Sequence, residues 1–261
     1  MVTKIKKAII PVTLSDEELF PLTRCVPKEL LPLGDIPVIQ RIVDETLSCG
    51  VEEIVFLLSA DKKGVINQFT NIEKLSDDYE LFKNKYAEIT FSYLTQKKNS
   101  SNGYAVYKAK EKSIEDPFAL SIPDTVFYGK KSSLEQLFAV HRTSQKDVVG
   151  LQEVDESDVS SSCIVETEKI ANRFYKIKKV MNNPSENETS SRLALAGRYI
   201  FTPVVFDYLK NNGAKTSIAD ALNEMIGAGK TVYGHECEGK WLSLENKEKY
   251  LEAQSFFSNN R

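Results

Sequence analysis

The chain has 261 residues, 41% of them hydrophobic and 27% charged, which is enough to bury the core of one large α/β domain or two small ones. The 34 basic and 37 acidic side chains leave a net charge of -3, which excludes the electrostatic signature of a nucleic-acid-binding protein. The four cysteines lie far apart without a Cys-x-x-Cys pair, which argues against a disulfide framework and a zinc site.

Short apolar runs alternate with helical segments through the first half of the chain. Strands are predicted at "KKAIIPV", "EEIVFLLS", "EITFSYL", "PFALSI" and "DVVGLQEV". Between the first two, one helical face carries five apolar residues: Val38, Ile39, Ile42, Val43 and Leu47. Further helices are predicted to begin near Gly103 and Ser133. This alternation is typical of parallel strands with crossover helices, in which ligands bind beyond the carboxyl ends of the strands.

The second half changes character, because extended segments dominate it. These are "NRFYKIKKV" and "RLALAGRYIFT", and helices are predicted near residues 204–211 and 218–226. The most polar stretch, "MNNPSENETSSR", is predicted to be an exposed loop or flap. We find no internal repeat and interpret residues 1–261 as a single domain.

Several long segments carry a resemblance to a known family. In chain order they are "KKAIIPV", "PKELLPLGDIPVIQRIVDE", "GVEEIVFLLSADK", "EDPFALSIPD", "LQEVDESDV" and "AGRYIFTPVVFDYL". The chain resembles the bacterial UTP:glucose-1-phosphate uridylyltransferase family over almost its whole length. The resemblance implies an α/β fold: a Rossmann-like nucleotidyltransferase domain with a mostly parallel mixed sheet flanked by helices. It also implies the family's reaction, in which glucose 1-phosphate attacks the α-phosphate of UTP to give UDP-glucose and pyrophosphate.

The loop after the first strand departs from the family pattern Ala-Gly-x-Gly-Thr-Arg. The spacing is unchanged, so the Gly, Gly, Thr and Arg positions are taken by Leu14, Asp16, Glu17 and Glu18. Glycines in such a loop let backbone N–H groups approach phosphates, and the arginine neutralises developing charge. This loop provides neither, so we expect it to repel a triphosphate.

A second interpretation of the same loop is purely structural. Ser15 and Glu18 have the spacing of a capping box, which would open a short helical turn through Leu19 and Phe20. The two interpretations are compatible, and together they predict a helical turn or closed loop over residues 15–20 that occupies the triphosphate site.

The resemblance also assigns the phosphate and metal positions. Lys28 matches the family's phosphate-contacting lysine, and the alternative is an exposed lysine. Asp124 in "SIPD" matches the first magnesium aspartate. The second magnesium aspartate is replaced by Ser243. Glu245, two residues later, is either a substitute ligand or a solvated helix-start glutamate.

The sugar and base positions are altered as well. Asn182 and Asn183 stand where the family has a Glu-Lys pair that binds the sugar hydroxyls and the sugar phosphate. Gln96 and Gly103 match the uracil-reading position and the position of close backbone approach to the nucleotide. Both histidines, His141 and His235, lie outside any catalytic spacing, and His141 is expected to be a packed or surface residue.

These residues leave three functions open. The favoured one is a catalytically inactive homologue that regulates or scaffolds, as a homo-oligomer or in complex with an active uridylyltransferase. The second is an active enzyme that makes UDP-glucose with Lys28 and Asp124, in which case magnesium is the cofactor; otherwise none is expected. The third is a sensor that binds a sugar phosphate or nucleotide without turnover. No apolar run is long enough for a signal peptide or a membrane span, so we expect a cytoplasmic protein with neither nucleic acid nor membrane as a partner.

Overall fold

A computed structural model describes residues 4–13, 15–70, 77–96, 101–112, 114–185, 187–210 and 216–260. Its strands are β1 (Lys7–Val12), β2 (Pro32–Leu33), β3 (Ile36–Pro37), β4 (Glu53–Ser59), β5 (Thr90–Gln96), β6 (Phe118–Ser121), β7 (Thr125–Tyr128), β8 (Asp147–Glu153), β9 (Cys163–Ala171), β10 (Phe174–Asn182), β11 (Leu193–Phe201), β12 (Val232–Glu236) and β13 (Lys240–Ser243). Its α-helices are α1 (Val38–Ser48), α2 (Asp77–Tyr86), α3 (Asn102–Lys108), α4 (Ser133–Ser144), α5 (Val205–Leu209), α6 (Ile218–Gly227) and α7 (Lys247–Asn259).

Nine of these strands form one mixed sheet in the order β5-β4-β1-β6-β11-β8-β12-β10-β9. The first four run parallel, β11 is antiparallel to both its neighbours β6 and β8, and β12 is parallel to β8. The strands β7 and β13 pair in a separate two-stranded sheet, as do β2 and β3. The expected α/β fold with a mixed sheet is therefore confirmed.

Helices cover both faces of the large sheet because the central strands are apolar on both faces. In β1, Ile9 and Ile10 are fully buried and contribute to different core clusters. One cluster includes residues of α1, α4 and α7, and the other includes residues of α3, α5 and α6. Alternating side chains of a strand point to opposite faces, so a continuous apolar run is what a doubly covered strand requires.

The predicted elements are present, and the sequence analysis missed several others. Each quoted strand and helix corresponds to an observed element, although the flap prediction was partly wrong because Met181 and Asn182 belong to β10. The missed strand β9 is the edge partner of β10, and its last four residues are exposed, so it lacks an apolar signal. Within the described ranges, no helix is long and apolar enough to cross a membrane.

Candidate functional site

A cavity of about 610 Å³ lies where the loop after β6 meets β13 and the end of β10. Six of the residues that line it are central to the site: Asp124, Asn182, Asn183, Ser243, Glu245 and Lys249. The structure thus brings together the metal-position and sugar-side residues that the sequence resemblance singled out. They come from segments up to 125 positions apart, and the sheet topology places them at one edge.

Asp124 follows the carboxyl end of β6 and is partly buried. Its backbone carbonyl accepts a hydrogen bond of 2.8 Å from the Leu244 N–H, which ties it to the segment after β13. Desolvation raises the pKa of the Asp124 carboxyl above its ordinary value, the Lys28 cation opposes that rise, and the Glu245 carboxylate adds to it. Lys28 is only 7% exposed, so the alternative of an exposed lysine is wrong.

The second metal position does not hold a free carboxylate. Ser243 pairs with Thr125 across the small sheet, and its hydroxyl accepts a hydrogen bond of 3.3 Å from the Glu245 N–H. The Glu245 carboxylate lies 3.2 Å from the Lys249 ammonium, which also binds Asp158 at 3.2 Å. Glu245 is exposed, as predicted by its interpretation as a solvated glutamate near the start of a helix.

A magnesium site needs one or two carboxylates together with phosphate oxygens and water. Here Asp124 carries a raised pKa and Glu245 is engaged by a lysine. Among the described residues, no group of three or more His, Cys, Asp or Glu could hold a metal ion. The side chains as placed do not complete the family's two-aspartate site.

The altered loop after β1 contains the predicted helical turn, a 3₁₀ turn at Glu17–Leu19. Leu14 lies outside the described residues. The predicted capping box is wrong in detail. The Ser15 hydroxyl accepts a hydrogen bond of 3.2 Å from the Glu17 N–H and not from the Glu18 N–H. Glu17 and Glu18 are exposed. That the turn occupies a triphosphate site stays a prediction.

Asp16 turns toward the protein interior. One oxygen of its carboxylate lies 2.7 Å from the Lys62 ammonium and accepts a hydrogen bond of 3.3 Å from the Lys28 N–H. Lys62 also binds the fully buried Glu29 at 2.9 and 3.0 Å. Burial raises the pKa of the Glu29 carboxyl, and the Lys62 ammonium opposes that rise. The loop is thereby attached to the segment after β4.

The sugar-side asparagines are held by the neighbouring strand. The Asn182 amide oxygen accepts a hydrogen bond of 3.2 Å from the Cys163 thiol, and the Asn183 N–H donates to the Ser162 carbonyl at 3.0 Å. Asn183 has a left-handed φ of 48°, a conformation that asparagine adopts more readily than most residues. Both side chains line the cavity as neutral amides.

The two base-side residues differ in what they offer a ligand. Gln96 ends β5, and its buried amide oxygen and nitrogen have no hydrogen-bond partner in the described part of the chain. At Gly103, a Cβ atom would lie 2.3 Å from the Thr216 carbonyl oxygen. The close packing of α3 against residues 216 and 217 therefore requires this glycine, whether or not a nucleotide binds.

Arg198 is a site residue that the sequence analysis missed. Its side chain is fully buried and binds the Glu45 carboxylate at 2.9 and 3.0 Å. It also donates to the carbonyl oxygens of Ile122 at 3.0 Å and Thr125 at 3.2 Å, which flank Asp124. The signal was a lone arginine inside the apolar segment "LALAGRYIFT", which predicts a buried partner of opposite charge.

The cavity is rich in negative charge. Among the lining residues that the structure describes, two are lysines, Lys240 and Lys249, and six carry carboxylates: Asp124, Glu153, Asp155, Asp158, Glu245 and Glu252. Lys249 is already bound to two of these acids, and Glu153 binds Arg192. Trp241 also lines the cavity and packs edge-on against Phe127 at 4.9 Å between ring centroids.

Comparisons with known proteins identify relatives of this chain along almost its whole length. The chain is 31% identical over 257 residues to a UTP–glucose-1-phosphate uridylyltransferase of Staphylococcus saprophyticus, with 94% of this chain and 89% of that protein covered. It is 31% identical to the corresponding protein of Staphylococcus epidermidis, with the same coverage. Its fold is similar to that of a UDP-glucose pyrophosphorylase crystallised with UDP-glucose, with a TM-score of 0.89, 26% identity and coverage of 98% and 100%.

A family model described as "Nucleotidyl transferase" matches residues 14–260 of the chain. The match spans nearly the whole chain, and the curated relatives cover it to the same extent. This chain therefore belongs to the nucleotidyl transferase family and, within it, to the family of the UTP–glucose-1-phosphate uridylyltransferases.

Proposed function

We propose that this protein is a catalytically inactive uridylyltransferase homologue that regulates or scaffolds through association with an active family member. The observation that carries the proposal is the charge of the candidate site. The substrates of the family reaction, UTP and glucose 1-phosphate, are both anions, whereas the described lining of the cavity holds six carboxylates and two lysines.

The electrostatic cost of that arrangement is large. A carboxylate about 6 Å from a phosphate charge costs roughly 3 kcal/mol at an effective dielectric near 20, and several acids would face several phosphate charges. The loop after β1 adds to the repulsion, because the exposed Glu17 and Glu18 stand at the family's threonine and arginine positions. Asn182 and Asn183 supply no cation for the sugar phosphate.

The second candidate is an active enzyme that makes UDP-glucose. Two observations favour it: the Lys28 cation is near enough to Asp124 to oppose the rise in its pKa that burial causes, and the buried Gln96 amide has no described partner. A phosphate and a uracil ring would satisfy these two groups. The activity would still lack the loop arginine and the second metal aspartate.

One assay separates the two candidates. The purified protein is incubated with UTP, glucose 1-phosphate and magnesium, and pyrophosphate release is measured beside the Staphylococcus saprophyticus relative as a positive control. We expect no release above background. Turnover on the order of one per second that the variant Asp124→Asn abolishes would establish the enzyme instead.

The regulatory part of the proposal needs its own measurement. Size-exclusion chromatography with light scattering is run on this protein alone, on an intact uridylyltransferase from the same organism, and on their mixture. We expect a mixed complex that alters the turnover of the intact enzyme. Failure to form it, together with UTP binding tighter than about 10 μM, would remove the regulatory role, because about -7 kcal/mol of affinity requires a working pocket.

A further inference from the structure

A second large concavity lies away from the candidate site, and the two share none of their described lining residues. It has a volume of about 1270 Å³ and runs along α4, between the loop that precedes this helix and the end of β12. Both histidines of the chain, His141 and His235, line it. We call it the histidine groove and define it by these two residues with Lys130, Lys131 and Arg142.

His141 lines this groove and has one ring nitrogen without a described hydrogen-bond partner. The residue is 2% exposed, and its ring Nδ1 lies 2.7 Å from the Lys146 carbonyl oxygen. A carbonyl oxygen only accepts, so Nδ1 carries the hydrogen and Nε2 of the neutral ring carries a lone pair. Nε2 is buried and has no hydrogen-bond partner among the residues that the structure describes.

His235 also lines the groove and also has a ring nitrogen that is unpaired among the described residues. It lies in β12, and its Nδ1 is likewise buried without a partner in the described chain. A buried polar atom left unpaired costs stability, so native proteins seldom leave two in one concavity. A ligand that hydrogen-bonds to both rings would remove this cost.

Basic side chains outnumber acidic ones in the lining of the groove. Lys4, Lys130, Lys131 and Arg142 line the groove, against two carboxylates, Glu135 and Glu238. Lys4 is bound to Glu52 at 2.9 Å, whereas Lys130, Lys131 and Arg142 are exposed and form no ion pair with a described residue. The groove therefore favours an anion, the opposite of the candidate site.

We propose that the histidine groove binds a small molecule carrying a phosphate monoester. Such a group has its second pKa near 6, so at neutral pH it offers both anionic oxygens for the cations and a P–OH form that can donate to a histidine lone pair. A sulfate or a carboxylate lacks that donor at neutral pH. The apolar side chains of Ile5, Phe138 and Val140 also line the groove and would contact the rest of the molecule.

The test uses the full chain and inorganic phosphate as the probe. Because the protein has two histidines, long-range proton–nitrogen NMR resolves both rings, with the assignment fixed by His235→Gln. We expect saturable shifts of the Nε2 signal of His141 and the Nδ1 signal of His235. Lys130→Gln and Lys131→Gln should each weaken binding about fivefold. Lys110→Gln, an exposed lysine outside the groove, should leave it unchanged.

Two further arms separate this site from its alternatives. Asp124→Asn should leave the phosphate affinity unchanged, which shows that the response does not arise in the candidate site. Sulfate should bind at least tenfold more weakly than phosphate. Shifts that rise without saturation, equal affinity for sulfate, or equal affinity in all three lysine variants would each overturn the proposal.

Discussion

The Lys62 ammonium lies 2.7 Å from the Asp16 carboxylate and 2.9 Å from that of Glu29, and the side chains of Lys62 and Glu29 are almost completely buried. The sequence resemblance places Asp16 at a position that the family pattern gives to glycine. A single cation therefore joins the loop after β1, the Pro-Lys-Glu segment and the segment after β4.

Replacing Lys62 with methionine should be strongly destabilising. The change leaves Glu29 buried without its cation, and the loss of one partner of a buried ion pair costs about 3–5 kcal/mol. Urea denaturation measures the free energy of unfolding. The matched control is Lys63→Met, because Lys63 is the exposed neighbour and its replacement should change stability by less than about 0.5 kcal/mol. Equal losses of unfolding free energy in the two variants would contradict a stabilising role for the contacts of Lys62 with Asp16 and Glu29.

Restoring the family loop should restore affinity for UTP. The fourfold variant Leu14→Gly, Asp16→Gly, Glu17→Thr and Glu18→Arg removes three carboxylates and supplies one cation. We expect UTP to bind at least tenfold more tightly than to the wild-type chain, as measured by calorimetry. The control is Glu80→Arg, a charge reversal in α2, outside the loop. Unchanged affinity in a folded fourfold variant would show that the loop acids do not set the repulsion.

Gly103 is expected to be intolerant of a side chain for a packing reason. A Cβ atom there would lie 2.3 Å from the backbone oxygen of Thr216, so Gly103→Ala should cost about 1–3 kcal/mol. Gly64→Ala is the control, because apart from its chain neighbours and local helix backbone no described residue lies within 4 Å of its Cβ position. Thermal unfolding should show a lower midpoint for the first variant only. A matching midpoint would mean that α3 can move away from residues 216 and 217.

The four cysteines should differ sharply in reactivity. Cys25 is exposed, whereas desolvation raises the pKa of the Cys163 thiol to about 12 and raises those of Cys49 and Cys237 above their ordinary value. The thiolate is the reactive form, so a raised pKa slows the reaction at mildly alkaline pH. A chromogenic disulfide reagent should label one thiol rapidly, and Cys25→Ser should remove that phase. A fast phase that survives this substitution would contradict the prediction.

Much of the fold could be predicted because helix and strand faces follow the apolar period. The five apolar residues predicted for α1 lie on its inner face, with Val38, Ile39, Ile42 and Val43 buried. The edge strand β9 was missed for the same reason, since only Ile164 and Val165 of its nine residues are buried and its last four residues are exposed. An element that is only half packed leaves a weak sequence signal.

The sequence by itself determined the family, the alternation of strands and helices, and which residues stand at the positions that the resemblance assigns to the site. These properties depend on residue type and spacing alone. Only the tertiary structure decided that Asp16 binds Lys62, that Arg198 supports the segment around Asp124, and that the two histidines share one groove. Each of these relationships joins residues 46 to 94 positions apart, and no local period encodes such a distance, because chain topology alone brings the partners together.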